Sequence, residues 1–147
     1  FILSNIHNCE IVFNNQNFTY DCTLIQTASQ LLNPQKALLT LLYQCEIYST
    51  EETITISQNP QTVIIMDAQP TYINIEVTAL ENLTDFAVND INIKSLANGE
   101  TLTINSFDRI ADMSVIDMTS FPQGLGPYQV ETDITKATVK LKYRARW

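Results

Sequence analysis

The chain has 147 residues, 45% of them hydrophobic, and carries 16 acidic against 8 basic residues for a net charge of −8. That length suffices for one substantial core, or for two small ones sharing an interface. An acidic balance repels a phosphate backbone or an anionic membrane, so neither nucleic acid nor a membrane is expected as a partner, and no run of about 18 apolar residues is present to span a bilayer.

Apolar and polar residues alternate from end to end. Side chains on a strand point to opposite faces in turn, so each alternating run predicts a strand with one buried face. In chain order these runs are 10–14, 18–26, 36–48, 53–57, 62–67, 72–79, 86–93, 100–105, 113–117 and 137–146. Leu38, Leu39, Leu41 and Leu42 also fit a helix, but the continuation through Tyr43, Cys45, Ile47 and Tyr48 favours one long strand. Turn signals separate the runs at Asn14-Asn15, Asn33-Pro34, Asn59-Pro60, Gln69-Pro70, Asn98-Gly99 and from Gly124 to Pro127. Asn98-Gly99 is the strongest of them. Both residues tolerate the positive φ of a tight turn, which predicts a hairpin joining 92–96 to 100–105. Many short strands at regular intervals give a mainly β fold, an antiparallel sandwich or barrel. A change from a long apolar run to polar, acidic residues between Ser49 and Glu52 marks the expected domain boundary. The chain begins at Phe1 rather than Met, and is therefore read as a processed product or an excised piece with N-terminal sequence missing.

The polar residues point away from chemistry. Cys9, Cys22 and Cys45 are odd in number and lack CxxC spacing, which argues against a disulfide framework and a zinc site. Each falls in an apolar period-2 register, as small buried hydrophobes do. Absence of a disulfide framework also favours assembly in the cytosol over secretion. The sole histidine, His7, has no assignable partner, whereas hydrolytic triads need a base oriented by a third group. Glu51 and Glu52 are adjacent and so point to opposite faces of a strand, and Asp108, Asp112 and Asp117 lack the spacing of a calcium loop. Three glycines leave no phosphate-cradling loop. The sequons at Asn17 and Asn82 are read as chance matches, and the aromatics, mostly in apolar strand registers, as core. No catalytic residue, metal site or cofactor is expected.

The last twelve positions differ from the rest, because they hold five of the eight basic residues. In an extended strand Lys140, Lys142, Arg144 and Arg146 share one face, and Val139, Leu141, Tyr143, Ala145 and Trp147 share the other. The plain reading of the basic face is a solvated surface whose like charges discourage edge pairing. The sharper reading is an interface to an acidic neighbour, such as another copy of this acidic chain.

The closing segment from Thr138 to Trp147, with Tyr143-Arg144-Ala145-Arg146-Trp147, resembles the final strand of siphophage distal tail proteins. Upstream, Asp90-Ile91-Asn92-Ile93 followed by Asn98-Gly99-Glu100, then Phe121-Pro122 with Leu125, and earlier Leu42 to Tyr48 around Cys45-Glu46, resemble that family's segments in the same order. The resemblance implies a galectin-like β-sandwich over 51–147, preceded over 1–50 by the later part of a β-rich, ring-forming N-terminal domain. It further implies a hexameric ring at the tail tip of a phage or prophage, in contact with other tail and baseplate proteins and assembled in the bacterial host cytoplasm, with an architectural role and no cofactor. Ile47 stands where the family commonly has proline, and Gly126-Pro127 reverses the usual order. The sugar-binding pattern of true galectins, His-x-Asn-x-Arg with Trp-x-x-Glu-x-Arg, is absent, and a fold by itself does not carry lectin activity. Two other readings of the same architecture are a carbohydrate-binding module and a hydrolase whose paired carboxylates come from distant strands.

Overall fold

The computed structural model describes residues 8–12, 18–66 and 69–146, so the expectations for His7, Asn14-Asn15, Asn17 and Trp147 lie outside the described residues. Within these limits the molecule is all β, every strand pairing is antiparallel, and the chain divides into two compact units between Thr50 and Glu51.

The first unit is a three-stranded sheet in the order β1 (Asn8–Val12), β2 (Phe18–Asn33), β3 (Lys36–Ser49). Proline cannot extend the ladder, and at Pro34 the chain turns, with the Asn33 side-chain oxygen accepting from the Gln35 amide at 2.9 Å. The long strand expected over 36–48 is present. β2 runs on to Asn33 rather than stopping at 26, because pairing with β3 carries the backbone through a polar stretch whose alternation is weak. An irregularity in register between Leu24 and Gln26 leaves Ile25 without a partner across the pair.

The cysteine expectation needs correction. Cys22 lies directly opposite Cys45 in the β2–β3 register with Cα atoms 4.1 Å apart, and the two form a disulfide. Directly opposed residues make the closest Cα approach across an antiparallel pair. Cys22 is buried, as expected of it, but Cys45 is exposed. An odd cysteine count does not prevent two of the three from pairing, and with this disulfide present the cysteines no longer favour assembly in the cytosol over secretion. The sign that was available is their near-symmetric placement about the Asn33-Pro34 turn.

The second unit holds β4 (Glu52–Thr55), β5 (Gln61–Ile65), β6 (Thr71–Ala79), β7 (Leu83–Val88), β8 (Ile91–Leu96), β9 (Thr101–Ile104), β10 (Ile116–Asp117), β11 (Gln123–Gly124), β12 (Gly126–Val130) and β13 (Ala137–Tyr143). One sheet runs β11-β6-β13-β4, with β9 pairing further along the same β6; the others are β10-β8-β7 and β12-β5. β6 and β13 are the framework. Their alternate residues are buried, and the register sets Ile73 opposite Tyr143, Ile75 opposite Leu141, Val77 opposite Val139 and Ala79 opposite Ala137. Bulk at one end and small side chains at the other let Ile65, Val88, Ile91, Ile93, Ile104, Ile116 and Val130 from the remaining strands close over this face as one core. Each fully buried Ile, Leu or Val contributes about 1.5–3 kcal/mol, so this sandwich-like core dominates the unit's stability.

Four strand expectations change on inspection of the pairing. The run 86–93 is two strands, β7 and β8, folded back on each other at Asn89-Asp90, where Asn89 has φ 53°. Asparagine tolerates that conformation, so no glycine is needed to mark the turn. Asn98-Gly99 does form a turn, with Gly99 at φ 82° and the Glu100 amide donating to the Ala97 carbonyl. Its arms do not pair with each other: β8 pairs with β7 and β10, while β9 crosses to β6. The reason lies in the turn's own bonds, since the Gly99 amide donates to Ala79 and the Ala79 amide to Glu100, tying the turn to the end of β6. Of the run 113–117 only Ile116–Asp117 forms a strand. The final strand stops at Tyr143 rather than 146, beyond which the Arg144 carbonyl accepts from the Thr71 hydroxyl at 2.6 Å.

Candidate interaction surfaces

Three surfaces outside the core bear on function. The first is the basic stripe of β13. As expected, Lys140 and Lys142 lie on the face opposite the buried Val139, Leu141 and Tyr143. However, β13 is hydrogen-bonded on both sides, to β4 and to β6, so its charges protect no sheet edge. Glu76 of β6 stands directly across from Lys140 and diagonal to Lys142. Its carboxylate accepts from the Lys142 ammonium at 2.7 Å and from Lys140 at 3.0 Å. Those hydrogen bonds, Lys142 first and Lys140 second, hold the Glu76 carboxyl below its ordinary value, and the same carboxylate raises Lys142 above its own. The four cations therefore differ. Lys140 and Lys142 are held within their own sheet, Arg146 is half-buried, and Arg144 has an exposed side chain that makes no ion pair among the described residues.

The second surface is the distal part of the β2–β3 hairpin. β1 pairs with β2 only from Thr19 to Thr23, so among the described residues the hairpin beyond Thr23 is a two-stranded ribbon with no third strand beside it. Leu31 is 75% exposed, and Ile25, Leu32, Leu38, Leu39 and Leu42 are also exposed. Leu31 and Leu32 are adjacent, as are Leu38 and Leu39, so both faces of the ribbon carry leucines. Contiguous exposed apolar surface next to open strand edges is the usual mark of a surface covered by another chain.

The third is a cleft of about 550 Å³ in the second unit, into which Tyr72 of β6, the β7–β8 turn, Arg109, Phe121 and Tyr128 of β12 converge. Tyr72 packs edge-on against Phe107 with ring centroids 6.2 Å apart. Sequence reasoning had assigned the aromatics to the core. That holds for the buried Tyr48, Phe86 and Tyr143, and in part for Phe121 and Tyr128, which pack against the core while also lining the cleft; Tyr72 is half-buried at the cleft without being part of that packing. Burial pushes the Tyr128 phenol above its ordinary value, a hydrogen bond from Asn89 opposing the shift and the Asp90 charge adding to it.

The acids expected to be solvated are so. Asp108 accepts from the Asn105 side chain at 2.7 Å, and Asp112 caps Ser114, whose hydroxyl and amide hold its carboxyl below the ordinary value. Among the described residues no group of three or more His, Cys, Asp or Glu could hold a metal ion. In the second sequon the Asn82 side chain accepts from the Asn98 amide at 2.9 Å.

No protein-family model matches the chain, and no curated protein matches it. Among solved structures this chain, an antiparallel all-β fold, resembles a phage hub protein. That structure is the Dit protein, gp 19.1, of SPP1, presented as a paradigm of the hub adsorption apparatus in phages that infect Gram-positive hosts. The TM-score is 0.71 at 12% identity, over 99% of this chain and 67% of the other. At that identity the likeness establishes a distal-tail-like fold, and does so over both units.

Proposed function

We infer that this protein is a structural component of a phage tail tip, a hub of the distal-tail type that acts by assembly rather than by chemistry. The observation that carries the reading is the β2–β3 ribbon, whose leucines on both faces and open edges need a cover that three strands do not supply, in a chain whose fold is that of a phage hub protein. In this reading the unit ending at Thr50 belongs to a ring-forming domain, and the ribbon packs against the next copy around a homohexameric ring. The unit from Glu51 is a galectin-like sandwich that faces the neighbouring tail and baseplate proteins. The protein is then found in the tail of the virion, after assembly in the host cytoplasm.

The stripe Lys140, Lys142, Arg144 and Arg146 is the proposed polar contact to an acidic neighbour, with Arg144 the most available of the four. Replacing all four with Ser should weaken a salt-sensitive association, and unchanged assembly would reduce the stripe to a solvated face. The reading as a whole is tested by electron microscopy of intact particles labelled with gold-conjugated antibody to this chain. Label confined to the tail tip is expected, and label on the capsid or along the tail shaft would overturn the assignment.

A further inference from the structure

The cleft between β6, β12 and the β7–β8 turn is built more carefully than a gap between loops requires. Two of its walls are held in left-handed backbone conformations by fixed hydrogen bonds. Asn89, at φ 53°, donates from its own amide to the Glu131 carbonyl at 3.0 Å, and its side chain accepts from the Glu131 amide at 2.7 Å. The same side chain donates to the Gln129 carbonyl at 3.0 Å and to the Tyr128 hydroxyl at 3.3 Å, which fixes the phenol at the cleft wall. Arg109, also in the cleft lining, has φ 56° in a loop closed by reciprocal backbone bonds between Asn105 and Ile110. That loop is anchored to β6 by the buried Ser106, whose hydroxyl donates to the Ile73 carbonyl at 2.6 Å and whose amide donates to the Asn74 side chain at 2.8 Å. Asparagine is at ease in this region, but an arginine there persists only where its surroundings over-determine it, and such residues gather at binding sites.

The chemistry that these walls present is mixed. Tyr72 offers half-buried ring surface and Phe121 and Tyr128 the part of theirs not packed against the core, while Asp90 offers acceptors, Arg109 donors, and Gln123 both. One carboxylate and one guanidinium cancel, so neither an anion nor a cation is favoured by net charge. What suits such a site is a neutral ligand with apolar C–H faces and hydroxyls around its rim. The volume lies within the range of about 300–1,000 Å³ typical of small-molecule sites. The geometry points to a saccharide-binding site in this cleft, in which the rings take the sugar faces and Asp90 and Arg109 read ring hydroxyls. Its residues lie outside the motif pattern of true galectins, and the site does not depend on ring assembly.

The test uses the full chain and four probes, the methyl glycosides of glucose, galactose, rhamnose and N-acetylglucosamine, each titrated to about 10 mM, which nearly fills a millimolar site. Backbone amide NMR is the readout. At least one glycoside should move the amides of Tyr72, Asn89, Asp90 and Arg109 together. Arg109→Gly removes the guanidinium while placing glycine where it is at ease, so it should weaken that binding by at least about tenfold, the effect of one lost charge-assisted hydrogen bond, with the unfolding midpoint unchanged or raised. Asp90→Asn should weaken it as well, and decides the matter by the same criterion if Arg109→Gly does not fold. No movement of these amides with any probe, movement centred elsewhere, or affinity unchanged in the deciding variant would overturn the site.

Discussion

Two long antiparallel pairs, β2–β3 and β6–β13, start from similar sequence material and end in opposite environments. In β6–β13 the alternation is strict: Leu141 is 0% exposed, its neighbours Lys140 and Lys142 face outward, and the apolar face has the rest of the second unit to cover it. In the β2–β3 ribbon apolar residues come in adjacent couples, Leu31-Leu32 and Leu38-Leu39, which places leucine on both faces of a two-stranded element. Such a ribbon cannot bury both faces by itself. Strict alternation therefore marks the surface that folds the chain, and broken alternation marks the surface on which association is proposed to depend.

The sharpest test of the folding half is Leu141→Ala. The residue is fully buried opposite Ile75, so truncation should cost about 2–5 kcal/mol, read as a lower urea midpoint with little change in slope. Gly124→Ala should come next, at about 1–3 kcal/mol, because an added Cβ would meet Ile65 Cδ1 at 2.5 Å and Ile73 Cδ1 at 2.8 Å. Thermal unfolding measures it, and an unchanged midpoint would mean that both side chains rotate away freely. Glu76→Gln should cost about 1 kcal/mol or less, since the lysines it holds are partly solvated.

The same substitution has a pH signature. Because Lys142 and Lys140 lower the folded-state pKa of Glu76 below its ordinary 4.5, its contribution is complete above that value and is lost as pH falls through the lower folded value. Lys142 is raised above 10.5, so its contribution is complete below 10.5 and is lost as pH climbs through the higher folded value. Glu76→Gln should flatten both limbs of the stability profile, and limbs that survive the substitution would assign them to other groups. Smallest for folding is the pair Leu31→Ser with Leu38→Ser, within about 0.5 kcal/mol by chemical denaturation, since neither side chain packs in a core. Its proposed effect falls on association alone.

How much of this was legible follows from the distance over which each signal acts. Period-2 alternation is local, so β3, β6 and the buried face of β13 could be read directly, as could the basic stripe. Partner choice is not local. The Asn98-Gly99 turn was recognised by its chemistry, but its bonds to Ala79 send β9 to β6, and no neighbouring residue reports that. The pairing of Glu76 with Lys140 and Lys142 likewise needs the β6–β13 register. β11 and β12 are too short and too rich in glycine and proline to show a period. Counting cysteines missed Cys22–Cys45, which only the hairpin register reveals. The cleft was hidden most deeply, because Tyr72, Asp90, Arg109, Phe121 and Tyr128 come from separate segments whose aromatics each looked like core.

The central claim, that the ribbon is an assembly surface, is tested most directly by the solution mass of the protein from light scattering across a concentration series, beside the Leu31→Ser, Leu32→Ser, Leu38→Ser, Leu39→Ser variant. The account predicts a discrete hexamer that the variant reduces to monomer while its fold is retained. A wild-type monomer at every concentration, or a hexamer unaffected by the four substitutions, would contradict it.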